Sequence, residues 1–187
     1  SENESINYLD RKIIKTSTKS RYTLKNYKTN LIQKHITKIN DQIGRCFEKI
    51  YRKTNSNFSF SISPEDYTLS VKDNDRDISI DDMSAGERQL LAVSILWALA
   101  IISGKKMPIL VDTPLARLDS EHRMNLLEEY FPKCSDQMMI FSTDEEINEK
   151  YYPVISDKLS YEYMIDYDDE SGKSSISNGY FEEVINQ

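Results

Sequence analysis

Near the middle of the chain, two short apolar runs flank a helical stretch. Met107–Val111 and Gln137–Phe141 read as buried strands. Ser120–Phe131, stopped by Pro132, reads as the helix between them, and Asp144–Tyr151 as a short helix after the second. Strand, helix, strand, helix in this order implies an α/β fold with a small parallel sheet flanked by helices. Such sheets bind ligands at the carboxyl ends of their strands. Upstream, Ser84 to about Ser103 has a helical pattern and stops at Gly104, a residue suited to a left-handed C-cap. Its apolar run, Leu90–Ile102, is too short to span a bilayer and reads as a buried core helix.

A β-rich segment precedes that helix. Phe58, Phe60 and Ile62 alternate, Ser63-Pro64-Glu65-Asp66 makes a turn, and Tyr67, Leu69 and Val71 alternate again. After a polar turn at Asp73–Asp77, Ile78 and Ile80 predict a third short strand. At the other end, Tyr161–Tyr167 and Ser174–Phe181 predict a hairpin around Asp168–Lys173.

Residues 1–53 read as a helical arm and 54–187 as the lobe that carries the sheet. Residues 1–20 are polar and weakly patterned and predict a frayed end, with helix from about Arg21. Ile32, Ile36, Ile39, Ile43, Cys46 and Ile50 follow the 4-3 spacing of a heptad seam. A coiled coil and an amphipathic helix packed on the lobe both produce this seam. The net charge of −7 is unevenly spread. The arm carries 13 Lys and Arg against 5 Asp and Glu, and the rest carries 11 against 26. A basic arm on an acidic lobe predicts nucleic-acid contact through Lys25, Lys28, Lys34 and Lys38. The same lysines also fit a merely solvated helix face.

Composition excludes some chemistry. Cys46 and Cys134 lie far apart without zinc or redox spacing, as in a cytosolic protein with reduced thiols. His35 and His122 are too scattered for a metal cage and read as surface or packing residues. No secretory segment opens the chain.

Four short motifs follow one another over the middle of the chain. In Met83-Ser84-Ala85-Gly86-Glu87-Arg88-Gln89, Ser84 N-caps the helix and Glu87 completes a capping box. A helix N-terminus also offers free N–H groups to an anion, and Gly86 permits close approach to the backbone. Ile109-Leu110-Val111-Asp112-Thr113-Pro114-Leu115 ends an apolar strand in a carboxylate suited to Mg²⁺. Ala116-Arg117-Leu118-Asp119-Ser120 follows, with Asp119 placed to N-cap the next helix. Phe141-Ser142-Thr143-Asp144-Glu145-Glu146-Ile147 closes the second strand.

In this order the motifs resemble the ABC signature, Walker B, D-loop and switch of SMC-like ABC-type ATPase heads. The wording Ser-Ala-Gly-Glu-Arg-Gln, Asp-Thr-Pro-Leu-x-Arg-Leu-Asp-Ser and Ser-Thr-Asp-Glu-Glu-Ile is similar to the DndD ATPases of DNA phosphorothioation. The resemblance covers residues 80–150. It implies that Asp112 holds the metal, that Ser84, Ala85, Gly86 and Glu87 reach the ATP of an opposing head, and that Arg117 and Asp119 line the seam of a head dimer. It further implies an N-terminal Walker A lobe as partner, ATP and Mg²⁺ as cofactors, DNA, and DndC and DndE. Ser171-Gly172-Lys173-Ser174 imitates a Walker A ending, but position 167 is Tyr where that motif needs Gly, so it reads as a hairpin turn.

The chain departs from the family at two positions. Thr113 stands where a catalytic Glu follows the Walker B Asp, and Thr143 where the switch has His. A Thr hydroxyl is a poor general base but can orient water. Thr113, Thr143 and Asp144 are the candidate catalytic residues, with Asp144 or Glu145 as a substitute base. The expected activity is slow ATP hydrolysis that drives DNA transactions. The alternatives are an SMC-like ATPase of DNA repair or anti-phage defence, and a non-hydrolysing, ATP-gated DNA-binding scaffold.

Overall fold

A computed structural model of the chain describes residues 2–51, 57–105 and 107–179, with side chains from residue 11 onward. The expected boundary between residues 53 and 54 lies outside the described residues. The first helix, α1 (Glu2–Ile50), is continuous for 49 residues. The frayed end expected for residues 1–20 is therefore not found. No proline occurs before Pro64, so nothing interrupts the backbone ladder. Residues 11–31 are exposed on every side, and this explains their weak apolar pattern. The predicted seam begins to be covered at Ile32. Ile36, Ile43, Cys46 and Ile50 are buried, and the last three join the core beside Phe47 and Tyr51. Over this stretch the seam packs on the chain's own lobe.

Strands β1 (Phe58–Ile62), β2 (Leu69–Asp73) and β3 (Arg76–Ile78) form an antiparallel sheet in sequence order. Phe60 pairs with Val71, and both face the core. Tyr67 leaves the predicted strand with φ 60. The Asp66 carboxylate accepts from the Thr68 N–H at 3.2 Å and hydroxyl at 2.8 Å, and this turn holds Tyr67 left-handed. Ile80 opens a short 3-10 turn instead of extending β3.

Helix α2 (Ala85–Ser103) starts at the Ser84 cap and ends at Gly104, whose φ is 60. At 19 residues it has the length and hydropathy of a membrane span. Only one face is core: Leu90, Leu91, Val93, Ser94, Trp97 and Ala98 are buried, while Leu96, Leu99 and Ile101 are exposed. β4 (Ile109–Asp112) and β5 (Met138–Phe141) pair in parallel, as expected. They are not the fully buried strands predicted. Leu110, Met139 and Phe141 are 63%, 49% and 40% exposed. An all-apolar strand is buried on both faces only where each face has a covering layer, and among the described residues nothing covers these side chains fully.

Helix α3 (Ser120–Asn125) widens into a π turn at Leu126–Tyr130, where the Phe131 N–H reaches the Leu126 carbonyl at 3.0 Å. The helix predicted at residues 144–151 is a series of turns. Helix instead begins one residue later, as α4 (Tyr152–Ile155), with Pro153 in its first turn. Strands β6 (Tyr163–Asp168) and β7 (Lys173–Asn178) make the terminal hairpin. Its turn is closed by the Gly172 N–H on the Asp168 carbonyl at 2.8 Å, so Ser171-Gly172-Lys173-Ser174 is a hairpin turn. The predicted extension through Tyr180 and Phe181 lies outside the described residues.

Candidate functional site

The carboxyl end of the parallel pair gathers four of the predicted residues. Asp112 ends β4 opposite Phe141, and the Thr113 N–H continues the ladder to the Phe141 carbonyl at 2.9 Å. Thr143 and Asp144 follow two and three residues later, and all four are exposed. Thr113 has φ 45. A β-branched residue is strained in that region, and such strain persists only where surrounding contacts impose it. Asp144 accepts from the Glu145 N–H at 3.1 Å, a local turn contact.

The buried carboxylate of this segment is Glu146, two residues after Asp144. Glu146 is 2% exposed, and its Oε1 accepts from the Leu115 N–H at 2.6 Å. Its Oε2 lies 3.4 Å from the Thr143 N–H. This inward turn ties the two strand-end loops together. Further contacts hold the loop leaving β4. Gln89 Nε2 donates to the Pro114 carbonyl. Arg123 Nε donates to the Leu118 carbonyl at 3.0 Å and Nη1 to the Glu145 carbonyl at 3.2 Å. A β-carbon on Gly86 would sit 3.0 Å from the Arg117 carbonyl oxygen. The glycine expected to admit a phosphate thus has a packing reason of its own, because α2 touches the loop there. The Arg117 side chain is exposed.

At the start of α2 the capping box is complete. Ser84 Oγ accepts from the Glu87 N–H at 3.2 Å, and the Ser84 N–H donates to Glu87 Oε2 at 2.9 Å. Ser84 and Ala85 are exposed, and the first-turn N–H groups of Ala85 and Gly86 have no acceptor within the helix. Arg88 braces the approach by donating to the carbonyls of Asp81 at 3.2 Å and Met83 at 2.9 Å. This end suits an anion. Asp112 suits one hard cation that completes its shell with water and ligand oxygens.

Asp119 caps α3. Its Oδ1 accepts from the His122 N–H at 2.9 Å and lies 2.8 Å from His122 Nδ1. The His122 backbone N–H, helped by the ring, holds the Asp119 carboxyl below its ordinary value of 3.8 against a burial penalty. A lowered folded-state pKa contributes stability that is full above the unfolded value and is lost as pH falls through the folded one. Asp119→Asn keeps a capping oxygen but removes this titration. Urea unfolding from pH 6 to pH 2 should therefore show the variant's stability falling less steeply than wild type below about pH 4. Parallel curves would refute the assignment.

Sequence reasoning missed Glu146, Gln89 and Arg123, whose partners are distant in sequence. Glu146 and Ile147 are both buried, but nothing in Asp144-Glu145-Glu146 marks which carboxylate turns inward. His122 is a packing residue, stacked on Tyr51 at 5.5 Å. The four arm lysines are exposed. By helical geometry Lys25, Lys28, Lys34 and Lys38 spread over about 180° of the helix surface, so they do not form one narrow stripe.

No protein-family model matches the chain. Over 129 residues, 67% of the chain, it is 25% identical to the DNA double-strand break repair Rad50 ATPase of Thermococcus kodakarensis, and it spans 14% of that protein. Solved structures of similar shape include SMC head domains. The SMC head domain of Pyrococcus yayanosii, with a coiled coil and joint, has a TM-score of 0.67 at 16% identity, covering 88% of this chain and 31% of that one. A chain from work on ATP-driven dimerization and DNA-stimulated activation of SMC ATPases has a TM-score of 0.62 at 16% identity, covering 84% and 93%. The SMC head of Pyrococcus furiosus bound to the C-terminal domain of ScpA has a TM-score of 0.61 at 18% identity, covering 86% and 39%. The chain has the α/β fold of the C-terminal lobe of an SMC-like ABC-type ATPase head.

Proposed function

We propose that this chain is the C-terminal half of an SMC-like ATPase head that binds and slowly hydrolyses ATP at a dimer interface to drive DNA transactions. The observation that carries the reading is the joint placement of three parts. An exposed capped helix start at Ser84 touches, through Gly86 and Gln89, the loop that leaves Asp112. Mg-ATP, when bound, supplies the phosphoryl group to be transferred. Asp112 would hold the metal through its exposed carboxylate. Ser84, Ala85, Gly86 and Glu87 would meet the phosphates of an opposing head, and Arg117 and Asp119 would lie along the seam. Thr113 and Thr143 would orient water. The uncovered apolar surface at Leu110, Met139 and Phe141 supports an N-terminal Walker A lobe as the covering layer.

The finer setting is DNA phosphorothioation, with DndC and DndE as partners and a cytoplasmic location. Its support is the wording of the motifs at residues 84–89, 112–120 and 142–147. The arm, residues 1–53, would carry DNA and the lobe, residues 54–187, the nucleotide. A second reading, an ATP-gated scaffold without turnover, is favoured by one observation. The buried carboxylate of the switch segment, Glu146, is already engaged by backbone N–H groups.

The test is phosphate release by the protein joined to its Walker A lobe, across a salt series with and without DNA. Turnover should occur, and DNA affinity should fall steeply with salt. Replacing Lys25, Lys28, Lys34 and Lys38 with Gln should weaken binding to all sequences alike and reduce the slope of log affinity against log salt by up to about 3–4. Absence of any Mg-dependent turnover would leave the scaffold reading. An unchanged slope would mean that the lysines only solvate the arm.

A further inference from the structure

We infer that Tyr51 is a positioning residue through which the arm regulates the nucleotide-facing site. The inference rests on the reading of Ser84–Glu87 and Asp119 given above. Tyr51 is still part of the arm, since its N–H reaches the Phe47 carbonyl at 2.8 Å in the last turn. Tyr51 is buried, at 7% exposure. Phe47 stacks on it at 4.8 Å and Phe58 meets it edge-on at 5.2 Å.

From this clamped position the side chain reaches both motif segments. The hydroxyl donates to Glu87 Oε1 at 3.0 Å, while the other oxygen of that carboxylate accepts from the Ser84 N–H at 2.9 Å. The ring face lies on His122 at 5.5 Å and 23°, and His122 Nδ1 contacts Asp119 Oδ1 at 2.8 Å. One residue earlier, the Ile50 carbonyl accepts from Asn125 Nδ2 of α3 at 3.2 Å. A shift of the last turn of α1 must therefore move the Ser84 cap and the Asp119 cap together, or break these contacts. A buried tyrosine needs an acceptor in any case. Here the acceptor is the capping carboxylate itself, and the stacking partner is the histidine on the other cap.

The experiment uses the protein joined to its Walker A lobe and reads the ratio of DNA-stimulated to basal phosphate release. Tyr51→Phe keeps the stack and the volume but removes the bond to Glu87. A hydrogen bond to a charged group is worth at least about tenfold in an equilibrium, so the ratio should drop by about tenfold. Ser84→Arg in parallel tests the site reading. A purely structural Tyr51 would scale both rates together and leave the ratio unchanged, and that result overturns the inference. So does a wild type that ignores DNA, because Tyr51 would then have nothing to transmit. If Tyr51→Phe does not fold, Phe47→Leu, which removes the ring stacked on Tyr51 without touching either motif segment, must lower the same ratio. Ser84→Arg without effect on head association removes the underlying reading. Ser84→Arg that blocks association, beside an unchanged Tyr51→Phe ratio, removes this inference alone.

Discussion

Ser84→Arg is expected to abolish ATP-driven association of two heads while leaving the affinity of each head for its own nucleotide intact. Ser84 is exposed at the start of α2 and precedes the first-turn N–H groups of Ala85 and Gly86, which have no acceptor within the helix. Arginine there fills the approach to the helix end. It also removes the oxygen that accepts from Glu87, a cap worth about 1 kcal/mol. Ser84→Asp separates these effects. Aspartate caps as well as serine and suits the helix dipole, so the fold should keep its stability. Its negative charge should still repel a phosphate brought up by the opposing head. Nucleotide affinity and sedimentation measured side by side give the answer. If both variants dimerise like wild type, the helix start is only a cap. If Ser84→Arg alone fails, the effect is steric and not electrostatic.

Asp112→Asn should be the most damaging change at the strand ends, and Thr113→Ala a mild one. Removing a carboxylate charge from the shell of the metal raises the Mg²⁺ concentration needed for phosphate release. Loss of a general base typically costs about 10²–10⁴-fold. Thr113 is no base, so its loss should cost well under that range. The backbone adds a second expectation. At φ 45, any residue with a β-carbon is strained at position 113. Thr113→Gly should release about 1–3 kcal/mol of that strain, offset by about 0.5–1 kcal/mol of extra freedom in the unfolded chain. Thermal unfolding should show Thr113→Gly at least as stable as Thr113→Ala. Steady-state phosphate release against Mg²⁺ completes the comparison. A Thr113→Ala protein as inactive as Asp112→Asn would place the chemistry on the threonine hydroxyl.

The elements legible in the sequence are those whose cause lies within a few residues. The Ser84 capping box, the Gly104 stop, the Asp119 cap and the turn at Gly172 each need only neighbours three or four positions away. The parallel pairing of β4 with β5 also followed from the order of strand and helix. Tertiary structure decided the rest, because the deciding partner is remote in sequence. The buried Glu146 carboxylate accepts from the Leu115 N–H, 31 positions away. Tyr51 meets Glu87 across 36 positions. The heptad spacing of Ile32–Ile50 identified an apolar stripe but not its occupant, since spacing specifies which side chains share a face and only packing decides what covers it. For the same reason Leu110 and Met139 look buried in the sequence and are open in the fold: hydrophobicity states a preference for cover, and the cover must come from another surface.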